Sequence, residues 1–149
     1  MITFDANILF HAGDERARDK RQRSAELLRA AASQNNAFLT LQALGEFALA
    51  AVRKGLLNRV EAARVARDWS GAFEIRSADA SAFETALEWW ADERLSYWDA
   101  LFVATASKAG ATACVSEDLH DGATIGGVEV INPFSTSAAG RLAVHGLKV

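Results

Sequence analysis

Short strand-like apolar runs and longer stretches of helical period take turns along the whole chain. This alternation implies an α/β fold with a parallel sheet, because strands that run the same way need helix-length crossovers between them. The strand-like runs are residues 2–5, "AFLT" at 37–40, "FEIR" at 73–76, "ATACVS" at 111–116 and "VEVI" at 128–131. Between them lie the helical patterns. "SAELLRAAAS" follows the charged run "DERARDKRQR" at 14–23, and "QALGEFALAAVRKG" closes at Gly55. Asn58 can cap "RVEAARVARDWSG", and Asp79 or Ser81 can cap "AFETALEWWADER". Ser96 starts "YWDALFVATASKAG", which closes at Gly110. Helices are thus available for both faces of a sheet. The right-handed crossover rule gathers the C-terminal ends of parallel strands on one edge, where binding sites of such sheets form.

The 149 residues suit one domain. Half of them are hydrophobic and 23% are charged, which describes a globular chain rather than a disordered one. A net charge of −3 gives no general attraction to nucleic acid, so any basic binding surface must be local. Cys114 is the only cysteine, which excludes a disulfide within the chain; its apolar run makes it a core residue. No stretch has the length or purity of a membrane span, and no basic-then-apolar leader is present, so the expected location is the cytoplasm. Residues 1–134 read as the domain, and 135–149 as a tail or short helix packed on it.

Asp5 ends the first strand between two apolar segments, and an unpaired buried carboxylate is costly. Asp118 lies two residues beyond "ATACVS", Glu46 sits early in the helix that follows "AFLT", and Asp99 falls in the first turn of its helix. Each has an ordinary explanation. Asp5 can cap a helix starting at Ala6, Asp99 can form a capping box with Ser96, Asp118 can serve a turn, and Glu46 can be solvated. Together, however, they fall near one sheet edge. Four close carboxylates must either take up protons or share a cation. Oxygen donors without convergent histidines favour Mg²⁺ or Mn²⁺, since His11, His120 and His145 show no zinc spacing.

The ordered set "FDANILF", the acid of "LGEF", "YWDALFVATA" and "VSEDLHDG" resembles the PIN domain family, in the style of the VapC toxins of bacterial toxin–antitoxin pairs. The resemblance covers nearly the whole chain. It implies a three-layer α/β/α sandwich around a mainly parallel, roughly five-stranded sheet. It implies a metal-dependent endoribonuclease, with Asp5, Glu46, Asp99 and Asp118 holding Mg²⁺, for which Mn²⁺ can substitute. It places Asn7 and Ser116 as polar support, with Asp121 an extra acid of undefined role. A homodimer and a small antitoxin partner are implied as well.

Arg16, Arg18 and Lys20, with Arg21 and Arg23, are the basic residues nearest the first acid in sequence and the favoured phosphate contacts. Arg53 and Lys54 stand further from Glu46. Trp69, Trp89, Trp90 and Trp98 fit core or subunit packing better than base stacking. Leu27, Leu28 and Leu44 belong either to the core or to a groove for an antitoxin segment. Other readings are an RNA-processing nuclease without antitoxin, or a non-catalytic RNA- or protein-binding module. A haloacid-dehalogenase-type phosphohydrolase is disfavoured, because that chemistry wants a second aspartate where Asn7 stands.

Overall fold

The computed structural model describes residues 1–149. A six-stranded sheet of order β3-β2-β1-β4-β6-β5 forms its centre. The strands are β1 (Ile2–Phe4), β2 (Ala37–Thr40), β3 (Glu74–Arg76), β4 (Ala113–Val115), β5 (Thr124–Ile125) and β6 (Val128–Ile131). All neighbours pair in parallel except β5, which runs antiparallel to β6. The helices are α1 (Ala6–Gly13), α2 (Arg18–Gln34), α3 (Leu41–Arg53), α4 (Arg59–Ala72), α5 (Ala80–Ala91), α6 (Tyr97–Lys108) and α7 (Ala138–Val144). None is long and apolar enough to cross a membrane.

Alternation along the strands divides the core in two. Ile2, Phe4, Leu39, Val115 and Ile131 face one layer, where they meet Ile8, Leu9, Leu27, Leu28, Phe47 and Leu142. Phe38, Cys114, Val128 and Val130 face the other, against Phe102 and Val103 of α6. Leu27, Leu28 and Leu44 are therefore core residues and offer no groove to a partner. Helix α6 lacks a polar stripe because it is enclosed twice. Its Phe102 and Val103 pack on the sheet, while Ala100 and Ala104 meet Ala82 and Ala86 of α5. Those alanines let the two helices approach closely.

Two elements go beyond the sequence reading. Helix α1 occupies "ANILFHAG", with Asp5 as its N-cap. Strand β5 adds a sixth member through a two-residue turn at Gly126 and Gly127, whose φ values of 56° and 81° suit the tight turns of hairpins. A side chain at Gly126 would also collide with Trp89, whose ring lies 2.6 Å from the ideal Cβ position. The C-terminal segment is anchored: Leu142 and Leu147 are fully buried. Arg141 of α7 binds Glu129 Oε1 at 2.7 Å, Asp121 Oδ1 at 2.6 Å and the Val130 carbonyl. Arg141→Met leaves both acids without this partner. It should cost about 1–3 kcal/mol in a denaturant melt while leaving activity per folded molecule unchanged.

Candidate active site

Strand β1 lies between β2 and β4, so the chain builds outward through β2 and β3 and then returns to the opposite side. The sheet's switch point is therefore the C-terminal end of the β1–β4 pair, where crevices form in such folds. Phe4 is in register with Val115, so Asp5 and Ser116 leave neighbouring strands side by side. The Asp5 N–H donates to the Val115 carbonyl at 3.0 Å. Ser116 Oγ donates to Asp5 Oδ2 at 2.7 Å and accepts from the Asp118 N–H at 3.2 Å, turning the chain after β4. Asp5 Oδ1 accepts from the Ala6 N–H at 2.6 Å. Asp5 is thus both helix cap and cleft residue. Asn7, in the first turn of α1, ties the group together. Its Nδ2 donates to Asp5 Oδ2 at 3.0 Å, Asp118 Oδ2 at 3.0 Å and Ser116 Oγ at 3.3 Å.

Thr40 caps α3 at the end of β2, which carries Glu46 to the same edge. Gln42 Nε2 donates to Glu46 Oε1 at 2.8 Å and to the Trp98 carbonyl at 2.9 Å, joining α3 to the start of α6. Ser96 caps α6 and donates to Asp99 Oδ2 at 2.6 Å. Asp5, Asn7, Glu46, Asp99 and Asp118 all line a single cleft of about 930 Å³. Asp121 is not on its wall; it accepts from the Asn132 N–H at 2.8 Å and pairs with Arg141.

A fifth acid, Glu117, joins the wall. It contacts His11 Nε2 and Lys20 Nζ, each at 2.5 Å. Burial works against its ionisation, but the bonds to Lys20 and His11 outweigh it and hold the carboxyl below its usual range. Glu117 is visible in "VSEDLHDG", but its partners come from α1 and α2, far away in sequence.

Burial pushes the Asp5 carboxyl from 3.8 to about 6. The bonds from Ser116 and Ala6 pull it down, while the charges of Glu46 and Asp118 add to the rise. None of Asp5, Glu46, Asp99 or Asp118 is ion-paired with a lysine, arginine or histidine. The acids are turned towards neutral donors instead: Asn7, Gln42, Ser96 and Ser116. In that orientation no three acid, histidine or cysteine side chains gather closely enough to hold a metal. The donor chemistry nevertheless fits a hard divalent cation, being all oxygen with its charge uncompensated. Asn7 Oδ1 and Gln42 Oε1, two further oxygens of cleft residues, are buried without any partner. To hold an ion, the carboxylates must draw closer together than they stand here.

The basic run 16–23, just before and along the start of α2, is largely occupied. Arg16 binds Asp14 through Nε at 2.7 Å and Nη2 at 3.1 Å, which holds the Asp14 carboxyl below its usual range. Lys20 is taken by Glu117, and Arg18 is exposed away from the cleft wall. The cations on that wall are Arg53 and Lys54, neither paired with an acid; Lys54 Nζ lies 4.8 Å from the Phe10 ring centre.

Among solved structures the chain is similar to VapC20 of Mycobacterium tuberculosis, described as a sarcin-ricin loop cleaving toxin. The TM-score is 0.61 and the identity 22%, over 76% of this chain and 87% of that one. At this identity the likeness speaks for the fold. No curated protein matches the chain. Residues 2–120 match the PIN domain, a stretch that runs from β1 past Asp118 and includes Asp5, Glu46, Asp99 and Asp118. The chain belongs to the PIN domain family.

Proposed function

We propose that the cleft hydrolyses RNA phosphodiesters with the help of Mg²⁺ or Mn²⁺, and that the protein is the toxin of a type II toxin–antitoxin pair. One observation carries the nuclease reading: Asp5, Glu46, Asp99 and Asp118, from distant segments, share one cleft at the sheet's switch point, with no cation of the protein paired to any of these four. Like charges gathered in one cleft repel one another unless a bound ion offsets them, and the charges of Glu46 and Asp118 add to the rise at Asp5.

Asp5, Glu46, Asp99 and Asp118 would hold the ion. When bound, it supplies Lewis acidity towards water and the phosphoryl oxygens at neutral pH. The chain's own groups do the rest. The four carboxylates fix position, and none needs to bond to phosphorus. Asn7 and Ser116 keep the Asp5 and Asp118 carboxylates aimed into the cleft. Arg53 and Lys54 offer positive charge to the RNA backbone.

The direct experiment is cleavage of labelled RNA with Mn²⁺, with Mg²⁺ and in excess chelator. Activity with either metal and none in chelator is expected; undiminished cleavage in chelator would overturn the reading. Asn7→Ala should lower kcat/KM by about 10–100-fold, the usual effect of removing a group that orients metal ligands. The toxin assignment rests on the likeness to VapC20 and extends to a homodimer and a small antitoxin. Since Leu27, Leu28 and Leu44 are buried, an antitoxin must dock on other residues. Growth arrest on expression, relieved by a short neighbouring reading frame, supports this role. Unaffected growth with an active nuclease favours RNA processing instead.

A further inference from the structure

The acids that hold a metal also repel RNA, and the chain as a whole is negative. Affinity must therefore come from groups beside them. The cleft has the volume of a site for a nucleotide-sized ligand, and its wall changes character along α3. Gln42 lies at one end, bonded to Trp98; Glu46 lies between; Arg53 and Lys54 lie at the other end. The helical rise puts Gln42 and Arg53 about 16 Å apart.

Trp98 stands on the cleft wall next to Asp99, and it is 60% exposed. It is not core: Ala100, Phe102, Val103 and Ala104 fill the inward positions of α6. Nor is it loose. Its ring meets Tyr97 edge-on, with centres 5.1 Å apart at 70°, and Tyr97 meets Trp90 at 6.1 Å and 80°. Gln42 holds its backbone carbonyl. A large aromatic face is thus kept in water, braced from behind, beside a candidate catalytic acid.

Resting on the nuclease reading, we propose that Trp98 is a stacking platform for a nucleobase of the RNA next to the cleaved bond, while Arg53 and Lys54 take a backbone phosphate at the opposite end of the cleft. Stacking does not depend on charge, so it supplies affinity where the acids oppose it. One stacked base is worth roughly 5- to 150-fold in binding. The partner recognised is an unstacked nucleotide, because a base paired within a helix has no free face to offer.

The test is fluorescence anisotropy in chelator, so that nothing is cleaved. It compares short labelled oligouridylate with the same ribose-phosphate chain lacking bases, for the parent, Trp98→Ala and Trp98→Phe. The parent should prefer the base-bearing strand by roughly 5- to 150-fold. Trp98→Ala should erase that preference without changing affinity for the abasic strand, and Trp98→Phe should keep most of it. A preference that survives in Trp98→Ala overturns the proposal. If light scattering also shows Trp98→Ala converting a dimer to a monomer, Trp98 is a subunit contact instead. A parent that binds neither strand and cleaves no RNA removes the nuclease reading as well. A parent that cleaves RNA, with an unchanged preference in Trp98→Ala, removes the platform alone.

Discussion

Replacing Asp5, Asp99 or Asp118 singly by asparagine should lower kcat/KM for RNA cleavage in Mn²⁺ by ~10²-fold or more, with the fold intact. Each change removes a negative charge while keeping size and one oxygen. The choice of amide matters. Asp5 caps α1 by accepting from the Ala6 N–H, and asparagine caps helices as well as aspartate does. Asp99 keeps its backbone bond to Ser96 Oγ in either form. Loss of activity can therefore be separated from loss of structure by circular dichroism on the same samples. Excess Mn²⁺ should recover part of the rate in a variant whose defect is weak metal binding. Parent-like rates in all three variants would mean that the cleft is not the reaction centre.

The second large effect is on stability, and its sign is unusual for a carboxylate. Asp5 has a folded-state value near 6 against 3.8 in a model peptide, because burial disfavours its charge. The folded protein therefore holds this proton over a range in which the unfolded chain has released it. The stabilising contribution is complete below about pH 3.8 and is lost as pH rises through about 6. The full shift corresponds to about 3 kcal/mol. Asp14, Glu117, Asp121 and Glu129 are lowered instead, so their contributions are lost as pH falls. The Asp5 effect must therefore be isolated as a difference. In chelator, the unfolding free energy of the parent minus that of Asp5→Asn should fall by up to about 3 kcal/mol between pH 4 and 7. Mn²⁺ competes with the same proton, so it should stabilise the parent more at pH 7 than at pH 5. A difference that stays flat across this range would show that Asp5 is solvated rather than buried.

The α/β architecture was legible because strand runs such as "AFLT" and "ATACVS" are short, apolar and separated by helix-length patterns. Helix α6 lacks an amphipathic stripe, yet its caps and length identified it; its double burial against sheet and α5 is a tertiary fact. Strand β5 escaped because two residues carry no period, and only the glycine pair at 126–127 marks its turn. Helix α1 was foreshadowed only by the possibility that Asp5 caps it.

The candidate site divides in the same way. Acids at strand ends could be placed on one edge from sequence, because strand direction fixes where the following residue emerges. Which charges are already spent could not be placed. Arg16 closes on Asp14 nearby, but Lys20 meets Glu117 and Arg141 meets Asp121 only after folding. The run 16–23 looked close to Asp5 because chain distance stood in for spatial distance. Lys54, 49 residues from Asp5 in sequence, lies on the cleft wall with it. Trp98 was read as core or subunit packing; its exposure takes it out of the core, which helical spacing could not show because it does not say which face of α6 the α5 helix covers.

Anomalous diffraction from a crystal soaked in Mn²⁺ reaches the central claim most directly. The account predicts a manganese peak in the cleft, bound by carboxylate oxygens drawn from Asp5, Glu46, Asp99 and Asp118, with those side chains drawn closer together than they stand here. A cleft without manganese at saturating Mn²⁺ would contradict it.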